Sequence, residues 1–145
     1  MILDTTLIFS NAQAITASQA STNALDLGAT GTPFGAYNPL VRDIGRGEPL
    51  EIAIDVVQPF AGLTSLQVSV QTSPDAVNWT TVDTGPVVPA ASLLLGYQIP
   101  APRRIEYASQ RYLQLFYTVV GTATQGAITA AVVSGRQSNL AAGAN

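Results

Sequence analysis

Arg111-Tyr112-Leu113-Gln114-Leu115-Phe116-Tyr117-Thr118-Val119-Val120 decides the class of fold. Leu113, Leu115, Tyr117 and Val119 fall on one side of an extended chain, and Tyr112, Gln114, Phe116, Thr118 and Val120 on the other. β-branched and aromatic residues dominate, and the period is two. With apolar residues on both sides, the segment reads as a central strand covered on each face. Working outward, Ile52, Ile54 and Val56 alternate with Glu51, Ala53 and Asp55 through residues 51–58. Leu66, Val68 and Val70 alternate with Gln67, Ser69 and Gln71. Ser73-Pro74-Asp75 is turn chemistry, which makes residues 77–82 a hairpin partner for that strand.

The same pattern extends to both ends. Gly85-Pro86 and Pro89 precede a strand at 92–99, which Pro100 and Pro102 stop because proline cannot donate to a ladder. Residues 121–126 read as a loop between glycines, and 127–133 as a final strand. Near the N-terminus 5–9, 12–17 and 22–27 read as short strands, while Ala-rich 11–20 also fits a helical turn. About eight short strands punctuated by Gly and Pro predict an all-β, single-domain β-sandwich, jelly-roll-like, over 1–145. Three parts stand outside this core: an N-terminal arm (1–9), an inserted loop (28–41) rich in Gly and Pro, and a small, polar C-terminal tail (134–145).

Composition closes most of enzymology. The 145 residues contain no His and no Cys, and all six basic residues are Arg. The chain therefore lacks an imidazole base, a thiolate and a lysine amine, along with the usual soft metal ligands. Carboxylates remain. Glu51 and Asp55 share a strand face but lie about 13 Å apart at the usual rise, outside the roughly 5–9.5 Å of paired glycosidase acids. They read as acids solvating a strand. Gly45-Arg46-Gly47 has Leu50 where a dinucleotide fingerprint needs its third glycine, so it reads as a turn. Asn78-Trp79-Thr80 is formally a glycosylation acceptor, but Met1 to Phe9 lacks the basic start of a secretory signal. The expectation is a protein that is not an enzyme and holds no cofactor and no metal.

Nine acids against six arginines give a net charge of −3, which disfavours nucleic acid as a partner. No stretch approaches the roughly 20 apolar residues of a membrane helix, so no membrane partner is expected either. What remains is binding to protein. The arm offers Ile2, Leu3, Leu7 and Phe9, the loop offers Phe34 and Tyr37, and the pair Arg103 and Arg104 could grip carboxylates of a partner. For the arm, the competing reading is a first core strand.

Several pieces, in order, carry a resemblance. They are Ile2-Leu3-Asp4 with Leu7-Ile8-Phe9-Ser10-Asn11-Ala12-Gln13, then Asp26-Leu27-Gly28, then Arg42-Asp43-Ile44-Gly45-Arg46-Gly47-Glu48-Pro49-Leu50. Leu66-Gln67-Val68-Ser69-Val70-Gln71-Thr72-Ser73, Leu95-Gly96-Tyr97 and Arg111-Tyr112-Leu113-Gln114-Leu115-Phe116-Tyr117 follow. Together they resemble the capsid cement, or decoration, proteins of tailed bacteriophages, of the Bordetella-phage type, from about residue 2 to about 133. The resemblance implies a jelly-roll-like β-domain on the outer surface of the virion head, made in the host cytoplasm. It implies bridging of major capsid protein subunits by a homo-oligomer, a dimer before a trimer, with no catalytic residues. The 28–41 stretch is longer than this pattern leads one to expect. A second reading is a carbohydrate- or receptor-binding β-sandwich of a virion appendage, with Trp79 or Tyr97 as a stacking platform.

Overall fold

A computed structural model describes residues 3–29, 31–32, 34–39, 50–102 and 110–135. Two long strands dominate it: β4 (Ile52–Ser73) and β7 (Tyr112–Val132), antiparallel along almost their whole length. One edge of β7 is lined in turn by β1 (Ile8–Ala14), β2 (Gln19–Ala20) and β3 (Leu25–Asp26). The free edge of β4 is lined by β5 (Thr80–Thr84) and β6 (Val88–Pro89). Among the described residues these form one seven-stranded antiparallel sheet with the path β1-β7-β4-β5. The all-β class is as the sequence predicts.

The sheet folds back on itself. Ser10 lies opposite Ala130 in the ladder, yet its hydroxyl is 2.7 Å from that of Tyr117, 13 residues earlier on the same β7. A straight strand would separate Ala130 from Tyr117 by about 43 Å. The chain closes this distance by bending through successive register shifts between Val56 and Ser65 of β4. Gly62, Gly121 and Gly126 there hold φ of +85°, +92° and +141°, values that side chains with a Cβ rarely adopt. Around the bend the inward residues change phase: Ile52, Ile54 and Val56, then Phe60 and Leu63, then Leu66, Val68 and Val70 are all buried. The two layers of the sandwich are thus halves of the same strands, where a jelly roll divides its layers between separate sheets. Phe9, Ile15, Leu113, Leu115, Tyr117 and Ile128 fill the single core between them.

Four local expectations change. Residues 121–126, read as a loop, are the bulged interior of β7. Residues 92–99, read as a strand, begin with the end of a 3-10 turn (Ala90–Ser92); they bond to the β4 backbone at Leu93, Gly96, Tyr97 and Ile99 but make only an isolated ladder bridge with it, at Gln98. The hairpin partner of β4 starts at Thr80, because Asp75 folds residues 75–78 into a turn. Its carboxylate accepts from the amides of Val77 and Asn78 and from the Asn78 side chain, which holds its pKa well below the usual carboxylate range. Residues 11–14 complete β1, 16–18 bend and 19–20 form β2, so the helical-turn alternative for 11–20 falls.

Candidate interaction surface

Two of the pieces that carried the resemblance, Asp26-Leu27-Gly28 and the start of 111–117, meet at one corner. Arg111 precedes β7 and grips Asp26 of β3 through two parallel hydrogen bonds of 2.8 Å. The guanidinium also lies 5.0 Å from the centre of the Tyr112 ring. Asp26 accepts from the Gly28 amide as well, and the Arg111 bonds with this one hold its carboxyl down at about 2. The Leu27 amide donates to the Arg111 carbonyl at 2.8 Å. This corner sets the exit direction of the chain into 28–41. Phe34 and Tyr37, described in that loop, are fully exposed.

The arm divides. Asp4 caps a short 3-10 turn (Thr5–Leu7) by accepting from the Thr6 amide and hydroxyl. Leu3 is half-buried and Leu7 exposed, so both reach the surface. Phe9 is fully buried, and this corrects its placement among contact residues: at that position the arm is the first core strand. Ile2, Arg103 and Arg104 lie outside the described residues, as do 136–145 of the tail. Ser134 and Gly135 are exposed. Trp79 and Tyr97 are each half-buried, Tyr97 packing against the core.

Sequence reasoning missed one adjacent pair of exposed apolar residues. Leu94 and Leu95 are 61% and 70% exposed. Leu93, fully buried, anchors the turn, and the Tyr97 amide donates back to the Leu94 carbonyl at 3.0 Å. Gly96, with φ +80°, donates to the Val56 carbonyl at 2.8 Å and returns the chain along β4. Beside this turn lies a shallow groove of about 320 Å³, lined by Asp55, Val56, Val57, Leu95, Gly96 and Thr129. Asp55 and Thr129 are directly opposed in the ladder and form its floor. Asp55 is only 8% exposed, so the expectation of a simply solvating acid is corrected for it. The signal available in the sequence was Leu93-Leu94-Leu95 itself, three apolar residues in a row where a half-buried strand should alternate.

Among the described residues no group of three or more acidic side chains is placed to hold a metal ion. No helix there is long and apolar enough to cross a membrane. At the groove the exposed side chains of Val57 and Leu95 stand beside the largely buried Asp55. Comparison with known proteins adds one result to this geometry. No curated protein matches the chain. Residues 9–132 match the Bbp16 family, whose name points to a Bordetella-phage protein, and the span runs from the buried Phe9 to the last residue of β7. The chain belongs to the Bbp16 family.

Proposed function

We propose that this protein is a structural cement of a tailed-phage head. It binds the outer face of the assembled shell as a homo-oligomer, a dimer before a trimer, and bridges neighbouring major capsid protein subunits. The observation that carries this reading is the Bbp16 match across the whole folded sheet. The surface supports it: Phe34, Tyr37, Leu94 and Leu95 stand in water on the described chain. Apolar side chains presented in this way mark protein contacts. The protein needs no catalysis and no cofactor for such a role, in keeping with a chain free of His, Cys and Lys.

Bridging suits individually modest contacts. A micromolar contact is worth only about −8 kcal/mol. An oligomer that engages two or three shell subunits together multiplies its avidity roughly 10²–10⁴-fold without any new kind of contact. The half-buried Trp79 and Tyr97 are poor sugar platforms, so the appendage reading has less to stand on.

Head shells assembled without this protein, mixed with the purified chain, test the proposal. The expected result is saturable decoration, at a copy number that scales with the shell subunits, and shells that withstand greater heat. Binding confined to the tail, or none, overturns it. Paired Phe34→Ala and Tyr37→Ala substitutions leave the folded sheet intact and are expected to weaken decoration.

A further inference from the structure

We infer that two copies of this chain pack together through the outward side of the sheet around Phe116, an inference that rests on the homo-oligomer of the reading above. Residues 112–120 of β7 carry apolar side chains on both sides of the strand. Leu113, Leu115 and Tyr117 fill the core, and Val119 packs against it. Tyr112, Phe116, Thr118 and Val120 alternate with these and point the other way. Directly opposed residues of an antiparallel ladder share a side, so each row continues across the sheet. Phe116 stands between Ala20 and Ser69, and Thr118 beside Gln67. Phe116 and Thr118 are half-buried, and Val120 is 54% exposed.

This side lacks what a water-facing sheet carries. β4 and β7 are 22 and 21 residues long and hold one charged residue between them, Asp55, which lies in the other half of the folded sheet. An antiparallel sheet open to water sets polar and charged residues on its outer side. Here the outer side holds an aromatic ring, a valine and neutral side chains. The Gln114 amide donates to the Gln71 side-chain oxygen at 2.8 Å, and the Gln71 amide to the Thr81 hydroxyl at 3.3 Å. At the end of the face Asp26 and Arg111 neutralise each other at 2.8 Å. Covering the middle of such a face strands no charge.

Charge and size select a second copy as the cover. Contact between identical faces doubles any charge they hold, and a chain of net charge −3 repels its own copies wherever its acids meet. Around Phe116 no acids meet. Residues 112–120 run about 27 Å, and four strands abreast span about 19 Å. Two copies face to face thus hide about 1,000 Å² in all, the size at which a specific contact begins. A twofold axis through the middle of the face, in the plane of contact, sets Phe116 over Phe116 of the second copy in either strand orientation. The small Ala20 and Ser69 on each side of Phe116 leave room for the second ring to pack offset.

Sedimentation of the full chain tests this, with Phe116→Ser, Thr118→Arg and a photo-crosslinking phenylalanine analogue in place of Phe116. The unaltered protein should be a dimer at micromolar concentration. Each substitution should weaken self-association at least about tenfold, with circular dichroism unchanged, because both side chains point away from the core. The crosslink should join two copies within 112–120 or the facing part of β4. Should Phe116→Ser fail to fold, Thr118→Arg and the crosslink still decide. A monomeric unaltered protein, a dimer indifferent to Thr118→Arg, or a crosslink confined to one copy overturns the inference. So does a Thr118→Arg protein that stays dimeric but no longer decorates shells, which would give this face to the shell protein. Decoration is scored separately. A protein that dimerises here without decorating sinks the cement reading and leaves this contact; one that decorates without dimerising here does the reverse.

Discussion

Ser10 of β1 and Tyr117 of β7 meet hydroxyl to hydroxyl at 2.7 Å, 107 positions apart in the chain and both fully buried. Ser10 donates to the Gln13 side-chain oxygen, also at 2.7 Å, so it accepts from Tyr117. Gln13 in turn accepts from the Thr22 amide and donates to the Ala20 carbonyl. This relay pins the outer edge of one half of the sheet to the centre of the other.

Removing its two ends should therefore have unequal effects. Tyr117→Phe deletes a donor and leaves Ser10 bonded to Gln13, at a cost of about 1 kcal/mol. Ser10→Ala strands the Tyr117 hydroxyl in the core, at a cost of about 2 kcal/mol. The double variant should be no less stable than Ser10→Ala alone. Urea unfolding of the four proteins completes the cycle, and simple additivity would show that the hydroxyls are independent.

The same tyrosine sets the alkaline limit. Burial raises the Tyr117 pKa well above its usual 10, because the phenolate is disfavoured in the core. Below pH 10 neither state ionises and the contribution is complete. Above it the unfolded chain loses the proton first, so stability falls as pH rises towards the folded value. Tyr117→Phe should flatten this fall in thermal melts at pH above 10.

At the acid end the sign is reversed. Asp26 is held at about 2, first by Arg111 and then by the Gly28 amide. Its contribution is present above the unfolded value near 3.8 and is lost as pH falls through about 2. Asp26→Asn should make the loss of stability between these values shallower, and amide exchange at Gly28 should quicken in the variant at neutral pH.

Gly126→Ala should be among the most damaging small changes. A Cβ there would enter the Phe60 ring, and φ is +141°. Strain and overpacking together cost about 3 kcal/mol. A thermal melt within a degree or two of the unaltered protein would show that the bend tolerates a side chain.

Leu115 has no exposed surface. Leu115→Ala should cost about 2–5 kcal/mol, and Leu115→Asp should leave the chain unfolded by circular dichroism, since a buried unpaired carboxylate costs several kcal/mol more.

The sequence by itself determined the class of fold and most of the core. A pleated chain sends alternate residues to opposite faces, so Ile52, Ile54 and Val56, Leu66, Val68 and Val70, and Leu113, Leu115 and Tyr117 could be assigned inward from their period alone. Composition likewise removed imidazole, thiolate and lysine chemistry before any residue had a position. Only the tertiary structure decided that two apparent pairs of strands are two continuous ones. A glycine at positive φ serves a turn and a bulge equally well, and nothing local to Gly62 or Gly121 distinguishes them. The choice is made by pairing partners such as Leu63 and Gly121, dozens of residues apart. The candidate groove escaped for the same reason. Asp55 and Thr129 are neighbours only across the ladder, and Leu95 joins them only because Gly96 turns back along β4. Period fixes which way a side chain points; long-range pairing fixes what it points at.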